Sequence, residues 1–194
     1  MPLMPYQMKG ESPLDDYPEI RPIALKDLED KALESFDRYQ TTSEIKLKEP
    51  DGSFVYIHDE FIDDWDSEKK VEVVQRLRSC MESGRFVAGA FLQNSIVGFA
   101  SVDNSFFGSE NQYLEMPFMH VSSEMRGKGI GRKLFALCCE NAKKRGAKKL
   151  YISTHPSIES QGFYESLGCL PAAEINEEIY SREPFNIQLE FTLE

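Results

Sequence analysis

Arg126-Gly127-Lys128-Gly129-Ile130-Gly131 is a turn with three alternating glycines, set between an apolar run and an amphipathic one. Glycines let backbone N–H groups crowd round an anion where a Cβ would clash, and a helix that follows directly aims its positive dipole end at the same point. The chemistry on offer is the holding of a phosphate. Basic charge collects at the same place: from Arg126 to Lys149 there are nine Lys or Arg and a single acid, Glu140, in a chain whose formal net charge is −11. Lys143, Lys144 and Arg145 complement the negative end of their own helix. Arg126, Lys128, Arg132 and Lys133 stand near its positive end, where cations are unfavourable unless an anion is bound.

The turn needs a strand before it and a helix after it. Phe118 to Val121 reads as the strand, and Arg132 to Arg145 carries Leu134, Leu137, Cys138 and Ala142 at helical spacing, with Gly146 where a helix commonly stops. Upstream, Phe86 to Leu92, Ile96 to Val102 and Tyr113 to Val121 are three apolar runs, the first two joined by Gln93-Asn94-Ser95, which together give an antiparallel meander. Pro117 lies inside the third run, where its missing N–H predicts a bulge. Lys149 to Thr154 and Asn186 to Leu193 read as further strands.

In the first part of the chain, Pro18 to Ala24 can form a strand. Lys26 to Arg38 reads as a helix burying Leu28, Ala32, Leu33 and Phe36. Ile45 to Lys48 and Phe54 to Ile57 flank Pro50-Asp51-Gly52, a hairpin signal. Asp59 to Glu68 places six acids around Phe61, Ile62 and Trp65; the segment reads as a solvated loop and helix start, with an anionic lip for an amine as the functional alternative. Ser67 would be the N-cap of a helix from Glu68 to Ser83, closed by Gly84.

The strand ending at Val121 and the run Arg126-Gly127-x-Gly129-Ile130-Gly131-x-x-Leu134 resemble the central motif of the GNAT superfamily of acetyl-CoA-dependent N-acetyltransferases. A second stretch is similar too: the strand to Thr154, then Ser157 to Gly168 with Phe163-Tyr164-x-x-x-Gly168. The resemblance covers Glu115 to Cys169. It implies an α+β (mixed α/β) fold, with a central, mostly antiparallel twisted sheet of six to seven strands, a splayed pair, and about four flanking helices. It implies acetyl-CoA as cosubstrate, its pyrophosphate on the backbone of Arg126, Gly127, Lys128, Gly129, Ile130 and Gly131, and its pantetheine amides against the main chain of Met119, His120 and Val121. Ser157 and Ser160 would stand beside the cofactor, where many members carry Asn and Ala, with Phe163 packed close by as core.

Acetyl transfer to an amine needs a neutral amine, stabilisation of the carbonyl oxygen and a proton for the departing thiolate. The resemblance gives Tyr164 as the acid towards sulfur, since a phenol with a reference pKa of ~10 can lend a proton. Amides near Met119 and His120, freed by the bulge, would face the thioester oxygen. Glu115, in Glu115-x-x-Phe118-x-x-Val121, resembles the glutamate with which some members deprotonate the amine. Glu110, His120 and His155 compete for that role.

The acidic excess disfavours nucleic acid as a partner and favours a small cationic amine acceptor. Cys80, Cys138, Cys139 and Cys169 lack metal-ligand spacing, so reduced core thiols and no metal are expected. No run approaches the ~18 apolar residues of a membrane span and no basic-then-apolar leader is present, which points to a cytoplasmic protein away from membranes. Residues 1–17 read as a flexible lead-in and 18–194 as one domain. The C-terminal strand offers an edge through which a homodimer would pair. Two other functions fit less of the pattern. A dinucleotide-binding protein would need the full GxGxxG and a strand-end acid where Ser153 and Thr154 stand. A non-catalytic acetyl-CoA sensor would not need Tyr164.

Overall fold

The computed structural model describes residues 17–49 and 52–193. The expected lead-in, apart from Tyr17, and Pro50-Asp51 of the hairpin turn lie outside them. Along the chain run β1 (Glu19–Pro22), β2 (Gln40–Lys48), β3 (Phe54–Asp63), α1 (Ser67–Glu82), β4 (Phe86–Leu92), β5 (Ser95–Val102), β6 (Tyr113–Glu115) and β7 (Phe118–Val121). Then come α2 (Ile130–Lys144), β8 (Lys149–Thr154), α3 (Ile158–Leu167), β9 (Leu170–Pro171), α4 (Glu177–Arg182) and β10 (Ile187–Thr192). One four-stranded sheet has the order β1-β4-β5-β7, a second β6-β8-β10-β9, and β2-β3 form a separate ribbon. All pairings are antiparallel except β6 with β8.

The β4-β5 hairpin follows from local chemistry. Gln93 and Asn94 both take positive φ, 48° and 69°, the two-residue turn whose twist matches the strands it joins. Its alternating small and large residues lie between two cores. Ala88, Ala90, Ala100 and Val102 pack with Leu134, Cys138 and Ala142 of α2, and Val87, Phe91, Ile96 and Phe99 pack with Val74 and Leu77 of α1. Each fully buried Leu or Ile contributes about 1.5–3 kcal/mol.

The run from Tyr113 to Val121 breaks at Pro117, as expected, and the break is larger than a bulge. Met116 N–H donates to Tyr151 O at 2.8 Å, tying β6 to β8, whereas Ser122 N–H donates to Val97 O at 2.9 Å, tying β7 to β5. The expected splay between β7 and β8 is complete, and the sheet is parted in two where proline supplies no donor. The gap between β7 and β8 is the opening around which the site is built.

Three expectations for the first half do not hold. Lys26 to Arg38 is not a helix but a 3-10 turn, Leu25–Asp27, followed by successive i→i+3 turns closed by Ala32, Glu34 and Phe36 N–H groups. Leu28, Leu33 and Phe36 are buried as expected, yet their spacing of five and three departs from a helical stripe. Asp27 accepts from Ala24 N–H at 2.9 Å and from Arg21 at 2.6 Å, and Arg78 takes the Leu28 carbonyl at 2.8 Å, so local groups replace helical bonds. The first half of the acidic segment is strand, because β3 continues through Asp59, Glu60, Phe61 and Ile62 to Asp63, opposite Gln40–Thr42 of a longer β2, and only its second half is the expected loop and helix start. Asp66, not Ser67, caps α1, accepting from Lys69 N–H at 2.7 Å.

Two elements have no counterpart in the sequence reading, β9 and the six-residue α4. β9 pairs with Leu189 and Glu190, so β10 is an interior strand there rather than the free edge expected. No helix among the described residues is long and apolar enough to cross a membrane.

Candidate active site

The phosphate turn opens with a 3-10 turn, Ser123–Met125, and enters α2 through Gly129 as N-cap. Gly127 and Gly129 have φ of 74° and 77°, the left-handed region that glycine alone enters without strain. The first-turn amides of α2, Ile130, Gly131 and Arg132, have no acceptor within the helix; the first i→i−4 bond is Lys133 N–H to Gly129 O at 3.2 Å. Ile130 is buried and anchors the turn to the core. A Cβ on Gly131 would lie 3.1 Å from the Phe163 ring, so this glycine is what lets α2 and α3 approach. Arg126 is fixed by its own backbone contacts, donating from Nε to Val121 O at 3.0 Å. Tyr17 lies over the turn, with its hydroxyl on Lys128 O at 2.8 Å and its ring 4.0 Å from Lys133 Nζ.

From this turn a cleft of about 740 Å³ runs along the open edge of β7 to the ends of β8 and β10, roofed on one side by the β2-β3 ribbon. The ribbon is pinned beside it by Lys46 N–H to Pro156 O at 2.9 Å and by Gln161 Nε2 to Lys46 O at 2.8 Å. Met119, His120, Val121, Arg126, Gly131, Ser160, Phe163 and Tyr164 all line it. Ser157 does not: it is fully buried, and its hydroxyl caps α3, accepting from Ser160 N–H at 3.3 Å and donating to Ser160 Oγ at 2.9 Å.

The edge amides can be assigned by alternation. Ser122 N–H is spent on Val97, so in the antiparallel β5-β7 ladder Phe118 and His120 turn their amides the same way. Met119 and Val121 therefore turn theirs into the cleft, and Val121 O, bound by Arg126, lies on that side. The expected donor pair shifts accordingly, from Met119 and His120 to Met119 and Val121.

Tyr164 is 8% exposed, and among the described residues its hydroxyl has no hydrogen-bond partner. The ring is held by Phe163 at 5.1 Å and Phe135 at 6.4 Å between centroids. Burial pushes its pKa up, so the phenol stays protonated and remains a donor.

Glu115 lies elsewhere. It lines a neighbouring depression with Arg85, Asp103 and Arg182, beyond the wall made by Pro117 and Phe118, and accepts from Arg182 at 3.2 Å. Burial raises its pKa, against the pull of Arg182. The competing bases fare no better. Glu110 is exposed and pairs with Lys148 at 3.7 Å. His120 is enclosed by Trp65 and Phe99, 5.0 and 5.3 Å away, and burial, with Arg38 and Arg126 nearby, pushes its pKa down to about 3. His155 Nδ1 accepts Ser157 N–H at 3.1 Å. Burial keeps this imidazole neutral, so its proton is on Nε2 and no lone pair is left for a substrate.

His155, and Asp63 as part of an acidic lip, are legible in the sequence; Glu159, Glu183 and Asn186, which line the far end of the cleft with them and Ser153, are not. Asp63 is ion-paired with Arg38, whose guanidinium also donates to Gln40 Oε1 at 2.9 Å. No group of three or more potential metal ligands occurs among the described residues, and no cysteine lines the cleft. Cys138, Cys139 and Cys169 have their thiol pKa pushed up by burial, to about 12 for the last two.

A glycine-bearing helix start beside a split sheet, with a buried phenol facing the split, is the arrangement the resemblance implied. Residues 54–169 match the Acetyltransferase (GNAT) family. The chain belongs to that family. A curated relative, the uncharacterized N-acetyltransferase YjgM of Escherichia coli K12, is 36% identical over 62 residues, which is 31% of this chain and 37% of the relative's length. Among solved structures, nourseothricin acetyltransferase superposes with a TM-score of 0.67 at 18% identity, covering 92% of this chain and 99% of that one. A putative streptothricin acetyltransferase from Bacillus anthracis str. Ames, in complex with acetyl coenzyme A, gives 0.61 at 15% identity, covering 91% and 98%. These likenesses show the GNAT fold over 92% and 91% of the chain.

Proposed function

We propose that this GNAT protein transfers the acetyl group of acetyl-CoA to a primary amine of a small cationic molecule, by direct attack within a ternary complex. The observation that carries this reading is the Tyr164 hydroxyl: carried on a buried ring, protonated, without a partner among the described residues, and in the same cleft as the phosphate turn and the open β7 edge. The solved complex of the Bacillus anthracis relative with acetyl coenzyme A supports the choice of cosubstrate.

In this reading the amides of the Arg126–Gly131 turn and of the first turn of α2 hold the diphosphate. The main chain of Met119 to Val121 pairs with the pantetheine amides. A β7 amide facing the cleft also supports the thioester oxygen as it gains charge, a donor typically worth ~10²- to 10³-fold in rate. The amine nitrogen attacks the carbonyl carbon, the carbon–sulfur bond breaks, and Tyr164 gives its proton to the thiolate. No cysteine lines the cleft to carry the acetyl group, which favours direct attack over an acetyl-enzyme. The carboxylates of Glu159 and Glu183, which have no ion pair among the described residues, favour a cationic acceptor.

The test is a panel of primary amines incubated with acetyl-CoA while free thiol is followed. Thiol release that depends on the amine, with N-acetylated product by mass spectrometry, is expected; binding of coenzyme A with no transfer to any amine would contradict the reading.

A further inference from the structure

Glu183 sits where α4 ends and one oxygen of its carboxylate is fully committed. Oε2 accepts from Ser153 Oγ at 2.7 Å and from Asn186 Nδ2 at 2.7 Å, and Asn186 Nδ2 also donates to Ser153 Oγ at 3.2 Å. Oε1 has no partner among the described residues. The adjacent cation, Arg182, is turned away to Glu115. Asp63, by contrast, is already paired with Arg38. Glu183 is thus a carboxylate of the cleft lining, held at one oxygen, with no cation on it among the described residues.

Its side of the sheet matters as much. Along β8, Leu150 and Ile152 enter the core beneath α2 together with Tyr164, whereas Tyr151 joins Ile179 of α4 on the opposite face. Ser153 is two residues on from Tyr151, so it and the carboxylate it holds lie on the α4 face. The phenol and the carboxylate flank the opening between β7 and β8 from opposite faces. A thioester lying in that opening with its sulfur towards Tyr164 exposes its carbonyl carbon to attack from the α4 face.

We propose that Glu183 docks the reacting amine of the acceptor as its ammonium and takes its first proton, Ser153 and Asn186 acting as positioning residues. The inference rests on the acetyltransferase reading above. The proton passes from nitrogen to Glu183 Oε1, and the freed lone pair forms the bond to carbon. The carbon–sulfur bond then breaks, and its electron pair leaves on sulfur and receives the Tyr164 proton. The second amine proton restores the phenol through solvent, and the exposed Glu183 releases the first, so one proton is produced per acetyl group transferred.

Two coenzyme A thioethers test this without knowledge of the acceptor: S-(2-aminoethyl)-coenzyme A, whose ammonium projects past the sulfur, and the near-isosteric S-propyl-coenzyme A. By calorimetry the wild-type protein is expected to bind the aminoethyl form about tenfold or more tightly than the propyl form, the size of one hydrogen bond to a charged group. Glu183→Gln should bring the two within threefold while leaving the affinity for free coenzyme A unchanged, which reports that the fold is intact. Glu183→Asp should restore part of the preference, and Glu140→Gln, outside the cleft lining, should leave it intact. No preference in the wild type, or a preference that survives Glu183→Gln, overturns the proposal. Failure of free coenzyme A to bind the wild type would instead overturn the acetyltransferase reading on which it stands.

Discussion

Tyr164→Phe separates the chemistry of the phenol from its packing. The substitution removes one oxygen and keeps the ring that Phe135 and Phe163 hold. Because the hydroxyl has no partner among the described residues, no buried donor or acceptor is orphaned by its loss. Stability should therefore stay within about 0.5 kcal/mol of wild type, the range of substitutions that touch no special feature. The kinetic effect should be much larger. Positioned acids contribute roughly 10²- to 10⁴-fold, so a hundredfold fall in kcat, about 2.7 kcal/mol of barrier, is the smallest loss consistent with the role. The KM for acetyl-CoA should barely move, because the proton is needed only as sulfur departs. Thiol release under saturating substrates, read beside calorimetric melting, measures both. A kcat within threefold of wild type, or a melting loss of several degrees with kcat intact, would show that the hydroxyl is structural and refute the assignment.

Other outcomes follow from the same geometry. Gly131→Ala places a Cβ against the Phe163 ring and should weaken coenzyme A binding tenfold or more by calorimetry. Gly146→Ala, at a φ of 96° but with open space around it and outside the cleft lining, should cost about 1 kcal/mol of stability and leave that affinity alone. His120 gives an acid limb to stability. Its folded pKa, held near about 3, lies below the ~6.5 of the unfolded chain, so the unfolded state binds the extra proton and stability is lost as pH falls from 6.5 towards 3. The slope should be up to about 1.4 kcal/mol per pH unit in denaturant titrations, and His120→Phe should flatten it between pH 4 and 6. Asp63→Asn strips the largely buried Arg38 guanidinium of its counter-ion and should destabilise by about 1–2 kcal/mol, less than for a fully buried pair because Asp63 is 43% exposed. Arg38→Met added to it should return part of that loss in the same melts.

What could be read in the sequence was whatever local rules decide. The phosphate turn is written in its glycines, the β4-β5 hairpin in alternation and turn residues, and the sheet's parting in Pro117. What could not be read depends on long-range placement. Glu115 fits the family spacing, but the parting at Pro117 breaks the strand's alternation between Glu115 and Phe118, so counting along the sequence does not show which side the carboxylate serves. His155 has the residue type and position of a base, but the Ser157 amide occupies its Nδ1 lone pair. Glu183 gave no signal at all, because its role needs a six-residue helix, the last third of β8 and the first residue before β10 to meet in space. The stretch from Lys26 to Arg38 misled because buried residues at irregular spacing satisfy a helical count only loosely, and Asp27 and Arg78 compete for its backbone groups.

A crystal structure with acetyl-CoA bound tests the central claim most directly. The account predicts diphosphate oxygens within hydrogen-bond distance of amides between Arg126 and Arg132, and the thioester sulfur within reach of the Tyr164 hydroxyl. Density for the cofactor away from the α2 start, or a sulfur turned from Tyr164 towards α4, would contradict it.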